Sequence, residues 1–88
     1  MKRILDCKIF NGYENSKYEV NVKHKIFGEN QMKCVINGLI DEDNKVGIIV
    51  HGNEIFCYKQ DCEYRFIEKN DRVIMSDDLM EIDIHILN

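Results

Sequence analysis

The sequence predicts an all-β domain: an antiparallel meander of seven to eight short strands that closes into a small barrel or a two-sheet sandwich. Three observations predict it. Tyr18 to Ile26 and Met80 to Leu87 alternate apolar and polar residues almost without fault, the period-two pattern of strands with one buried face. Clusters of Asn, Gly, Asp and Glu punctuate the chain between such runs, where hairpin turns need them. The 88 residues contain no Ala, Pro, Trp or Thr, so the best helix former is missing, and the many Ile and Val residues favour strands.

Taken in order, Arg3 to Phe10 reads as a first strand, with Leu5, Cys7 and Ile9 in phase, followed by a turn-rich loop headed by Asn11-Gly12. A turn centred on Glu29 then pairs Ile26 with Met32, His24 with Cys34, Val22 with Ile36, and Tyr18 with Ile40. The polar loop Asp41 to Lys45 sets Ile40 opposite Val46 and Gly38 opposite Ile48. Gly52-Asn53 is the expected two-residue turn, which sets Ile48 opposite Cys57. Gln60-Asp61 sets Cys57 opposite Tyr64, and Lys69 to Arg72 sets Ile67 opposite Ile74. Ser76 to Glu81 carries a helix-start pattern, but the unbroken alternation after it favours a strand. The expected core face holds Val22, Ile36, Ile48, Cys57 and Phe66.

One domain over 1–88 is expected at this length. Charge breaks the apolar run at the start of the chain, and no stretch approaches transmembrane length, so a cytoplasmic protein without membrane contact is expected. In that compartment Cys7, Cys34, Cys57 and Cys62 are reduced, structural residues. The net charge of −4 is uneven: residues 1–40 carry +3 and residues 41–88 carry −7. An acidic second half argues against general nucleic-acid binding.

Chemistry-bearing patterns are few. Ser16 and Ser76 stand outside any nucleophile elbow, and the five glycines are too scattered for a phosphate loop. The expected register brings His24 and Cys34 together, a nucleophile–base pair that lacks a third, orienting group. Cys57 and Cys62 supply one cysteine pair where structural zinc sites use two. Asp41 to Asp43 and Asp77-Asp78 lack the frame of a calcium loop. No catalytic residue, metal ligand or cofactor site is therefore expected.

The expected register leaves an apolar band on the outer face: Val35, Leu39, Ile49, Phe56 and Tyr58, with Arg65 on its rim. The outer side of a one-faced sheet should be polar, so such a band needs a cover, either from the same chain or from another molecule. The function expected is a non-enzymatic protein-interaction module: a small inhibitor, adaptor or subunit, of the kind phages and mobile elements encode, acting on a protein partner or as a homo-oligomer. The alternative is a small-barrel nucleic-acid binder using Lys23, Lys25 and Lys33, with Lys25 opposite Lys33 and Tyr13, Tyr18 or Phe27 stacking on bases. A third is a metal or thiol site built on His24, Cys34 and Cys57.

Overall fold

The computed structural model describes residues 3–60 and 62–87 and contains eight strands: β1 (Lys17–His24), β2 (Gly28–Val35), β3 (Gly38–Asp41), β4 (Lys45–Val50), β5 (Asn53–Tyr58), β6 (Arg65–Lys69), β7 (Arg72–Ser76) and β8 (Met80–Leu87). They form two antiparallel sheets, one of five strands in the order β2-β1-β8-β7-β6 and one of three in the order β3-β4-β5. Ile36, Val46, Ile48, Val50 and Cys57 meet Tyr18, Val20, Cys34, Val73, Met75, Ile82 and Ile84 in one shared core. The all-β expectation is met by the two-sheet arrangement.

The expected first strand is instead a chain of three 3-10 turns, Ile4–Asp6, Lys8–Phe10 and Tyr13–Asn15. Ile4, Cys7 and Phe10 recur every third residue, the repeat of a 3-10 helix, and all three are buried with Ile9 while Leu5 is exposed. The apparent alternation of Leu5, Cys7 and Ile9 was the weaker pattern. The Tyr18 hydroxyl donates to the Ile9 carbonyl, and Phe10 lies against the Tyr18 ring with centroids 5.8 Å apart. This segment also reaches both sheets. Arg3 pairs with Asp41 at the end of β3 (2.8 Å), and the Lys8 N–H donates to Glu68 on β6 (3.0 Å).

The first hairpin turns at Lys25-Ile26-Phe27, pairing Tyr18 with Cys34, Val20 with Met32 and His24 with Gly28. The turn centre therefore lies before Glu29, where it was expected. His24 supplies the reason: its Nδ1 accepts the N–H groups of Ile26 (3.1 Å) and Phe27 (3.3 Å), and Gly28 takes a φ of 84°, a left-handed conformation that suits glycine. The pairing shifts by an even number of residues, so Tyr18, Val20, Met32 and Cys34 keep their shared face. Ile26, expected inside, is exposed.

After Val35 the chain crosses to the small sheet. The Asn37 side chain accepts the His51 N–H (2.7 Å), and the Asn37 N–H donates to the Ile49 carbonyl (2.7 Å). Glu42 closes a tight turn onto Lys45, so Leu39 pairs with Ile48 and Ile40 with Gly47. That is one residue from the expected register. It sets Leu39 on the core side beside Ile48, while Ile40 is buried over Gly47, outside the shared core. His51-Gly52, both at positive φ, makes the next turn in place of Gly52-Asn53, so Ile48 pairs with Ile55 and Val46 with Cys57. The expected Cys57:Tyr64 pairing does not form, because β5 ends the small sheet and β6 belongs to the large one. Asp61 of the expected turn lies outside the described residues. Ile67 does pair with Ile74.

Candidate functional site

Two open flanks arise wherever two sheets lie face to face, and this protein treats them differently. On one flank the edge strands are β3 and β6. There the N-terminal turns fill most of the gap by bonding Asp41 and Glu68 and inserting Ile4, Cys7, Ile9 and Phe10, with a smaller cleft of roughly 300 Å3 left beside Arg3, Asp41 and Phe66. On the other flank the edge strands are β2 and β5, and a slot of roughly 560 Å3 remains between them. Its walls are Val22 and Met32 of the large sheet, Met80 at the start of β8, and Ile55 of the small sheet; Phe27, Leu79, Phe56 and Tyr58 form its mouth. Three strands cannot cover five. Val20 and Cys34 lie under the small sheet and are buried, whereas Val22 and Met32, toward the hairpin tip, are only half-buried.

Local chemistry fixes the slot's shape. Asp77 accepts the N–H groups of Leu79 (2.8 Å) and Met80 (2.9 Å) on one oxygen and that of Tyr58 (3.0 Å) on the other. It thus holds the edge of β5 against the start of β8. The His24 ring stacks on Phe27 at 4.8 Å between centroids, and its two accepted N–H groups hold the tip that carries Phe27, which is 85% exposed. Across the slot Phe56 and Tyr58 meet edge to face at 5.2 Å, the favoured aromatic geometry. Lys45 sits 4.6 Å above Phe56 and pairs with Glu54 at 3.1 Å; the hydrogen bond to Glu54 raises its pKa. Gly47 lies opposite Phe56, and a Cβ there would stand 2.0 Å from the Ile55 carbonyl oxygen.

The residues expected to form one outer band are divided. Ile49 and Phe56 are half-buried on the outer side of the small sheet, with exposed Tyr58 beside them, while Leu39 packs into the core. Val35 and Arg65 lie on β2 and β6, the opposite edges of the large sheet. Only Phe56 and Tyr58 of the band reach the slot. Phe27 was expected only as a base-stacking residue of the nucleic-acid alternative and Val22 only as core, while Leu79, Met32, Ile55 and Met80 were not singled out for a site. An Ile26-Phe27 pair next to a Gly was the available signal, because a tight turn is the place where two large apolar side chains cannot both be covered.

The other candidate groups are not brought together. Lys33 stands opposite Glu19, and Lys23 stands between Glu29 and Glu81, so the expected Lys25:Lys33 pair does not exist. Lys25 lies in the hairpin loop, and Tyr18 is buried. His24 and Cys34 are at opposite ends of the first hairpin, about 20 Å apart by strand rise. Burial raises the pKa of Cys34, and burial together with Asp77 pushes the Cys57 thiol up to about 12, which keeps both protonated and poorly nucleophilic at neutral pH. Cys62 is exposed. Among the described residues no three of His, Cys, Asp and Glu cluster to hold a metal, and no helix is long and apolar enough to cross a membrane.

What fold and site define together is a two-sheet all-β domain with one flank largely filled by the N-terminal turns and one open. No family model, curated protein or solved structure matches the chain.

Proposed function

We propose that this protein is a non-enzymatic interaction module that takes an apolar segment of a partner protein into the slot between β2 and β5. The observation that carries the reading is the open flank: a slot walled by Val22, Met32, Ile55 and Met80, with Phe27 exposed at its mouth. An exposed apolar concavity with aromatic side chains at its rim has the composition of a protein-binding hot spot. Among the polar groups that line it, Asp77 is committed to three backbone N–H groups, His24 to two and Glu54 to Lys45. They leave the slot to select mainly by shape and apolar contact, with Asn30 as a polar side chain not so engaged. Such a protein acts by occupying a surface of its partner, as small inhibitors, adaptors and subunits do.

A random peptide library selected against the wild-type protein tests this. Apolar sequences should be enriched, and the selected peptides should lose at least about tenfold in affinity, the loss of one good apolar anchor, for a Phe27→Asp, Leu79→Asp double variant. Those substitutions lie on exposed positions and leave the core untouched. Peptides that bind both proteins equally, or a selection that enriches no apolar sequence, would sink the reading.

A further inference from the structure

The free edge of the large sheet has a backbone polarity that the hydrogen bonds define. The Lys25 N–H donates to the Leu79 carbonyl at 2.9 Å, which continues the β1:β8 register of Lys23 with Glu81 and Asn21 with Asp83. In an antiparallel pair the bonded residues alternate with non-bonded ones, so the odd-numbered residues of β1 bond to β8. The Ile86 N–H donating to the Asp71 carbonyl (3.2 Å) on the other side of β8 gives the same parity. The even-numbered residues of β1 then bond to β2, through Gly28, Asn30, Met32 and Cys34. Glu29, Gln31, Lys33 and Val35 therefore direct their N–H and C=O groups away from the sheet, at an edge that no other strand covers among the described residues.

We infer that this edge pairs with the same edge of a second copy, antiparallel, about a two-fold axis through Gln31. A two-fold axis through any residue of β2 keeps odd residues opposite odd ones, as the free N–H and C=O groups require. Only the axis at Gln31 also satisfies the charges. It sets Glu29 opposite the second copy's Lys33, Lys33 opposite the second copy's Glu29, and Gln31 opposite itself. Moving the axis to Glu29 or to Lys33 puts like charges face to face. Moving it to Asn30 or Met32 leaves Glu29 opposite Gln31 or Val35.

The complementarity extends beyond the edge. Across the joined sheets one row would read Glu81, Lys23, Glu29, then Lys33, Glu19 and His85 of the second copy, because Lys23 already lies between Glu81 and Glu29 and Glu19 between Lys33 and His85. Acidic and basic residues alternate from Glu81 through the second copy's Glu19, and opposite charges on facing strands stabilise pairing. The three bonded pairs centred on Gln31 supply roughly six backbone hydrogen bonds, two each. On the other face Asn30 would lie opposite the second copy's Met32. The slots of the two copies would then adjoin. This inference rests on the edge and not on what enters the slot.

Sedimentation of the wild-type protein should give twice the 10.4 kDa chain mass, dissociating on dilution. Glu29→Lys alone and Lys33→Glu alone each place like charges at both symmetric positions and should weaken the dimer at least about tenfold, the combined effect of two like-charged cross-strand pairs. An equimolar mixture of the two variants should dimerise again, because one variant is basic and the other acidic at both of these positions. Any strain within each chain is the same before and after mixing. Hydrogen exchange on the wild-type protein is the second measurement, independent of any variant. The amides of Glu29, Gln31 and Lys33 should slow with concentration while those of Asn30 and Met32 stay slow throughout. A wild-type protein that remains at the monomer mass overturns the inference and leaves the edge to a strand of another protein. A dimer that survives both substitutions, a mixture that fails to recover, or odd-numbered amides indifferent to concentration overturns it equally.

Discussion

Asp77 accepts the backbone N–H of Tyr58 at 3.0 Å, and this one bond joins the last strand of the small sheet to the turn that begins β8. The same carboxylate holds the N–H groups of Leu79 and Met80. Asp77→Ala leaves three donors without their charged acceptor. Hydrogen bonds to charged groups are worth about 1.5–3 kcal/mol when deleted, and solvent can repair part of this loss at a half-buried site. Urea unfolding should therefore show a destabilisation of about 2 kcal/mol. A change under about 0.5 kcal/mol, the effect of an ordinary surface substitution, would refute the role assigned to it.

The hydroxyl of Tyr18 is the tether between β1 and the N-terminal turns. Burial raises its pKa, so it stays protonated and donating. Tyr18→Phe keeps the ring packed on Phe10 but leaves the Ile9 carbonyl without this donor. The expected cost is about 1–3 kcal/mol, and the amides of Phe10 and Asn11 should exchange faster than those of β8. Unchanged stability and unchanged exchange would show that the segment is held by apolar packing alone.

Gly47 and Gly52 make a contrast. A methyl group at Gly47 meets the backbone of Ile55 and Phe56, which cannot move without opening the β4:β5 ladder. At Gly52 nothing lies within 4 Å, and the only obstacle is a φ of 78°. Gly47→Ala should cost about 3 kcal/mol or more, in the range of severe steric substitutions, and Gly52→Ala only about 1–2 kcal/mol, the penalty of a left-handed non-glycine residue. Thermal melts that rank the two variants in the reverse order would contradict the register of the small sheet.

Acid should loosen the contact between the N-terminal turns and β3. Burial pushes the Asp41 carboxyl up, but hydrogen bonds from Lys59 (3.0 Å) and Arg3 (2.8 Å), and the charges of both, bring it below its ordinary value. A carboxylate depressed in the folded state stabilises above its unfolded pKa, near about 3.9, and that contribution disappears as pH falls through the folded value. Asp71, held down by His85, acts with the same sign. Wild-type stability should thus fall below about pH 4, and Asp41→Asn should be less stable at neutral pH with a shallower loss on acidification. Parallel curves for the two proteins would remove Asp41 from the account.

Side-chain phase was legible in the sequence, and strand partnership was not. The alternation of β1 and β8 put Tyr18, Val20, Ile82 and Ile84 on a buried face, and Ile36, Ile48 and Cys57 were also identified as core. Val22 and Phe66, read the same way, are only half-buried, the first because it lines the slot. Turn centres moved because they depend on local hydrogen bonds: the imidazole of His24 set the first hairpin, the Glu42 to Lys45 turn the second. A shift of even length preserved the faces; the odd shift at β3 put Leu39, and not Ile40, on the core side. Partnership between β1 and β8 could not be read from spacing, since every local turn favours pairing with the next strand. The slot depends on that partnership, so its lining was equally hidden, although the aromatic pair Phe56 and Tyr58 was recognised.

The pairing of Lys17 with Leu87 and of His24 with Met80 gives β1 a neighbour that is the last of the eight strands to be synthesised. During translation the first hairpin and the three-stranded sheet can assemble from neighbours in sequence, but β1 must keep its second edge open until β8 emerges. Contacts of such long sequence separation slow folding, and a nascent chain stopped before Met80 would hold two unfinished sheet edges in water. The ribosome-bound intermediate is therefore the species most exposed to aggregation, and a chaperone that recognises extended apolar strands would have its longest opportunity there.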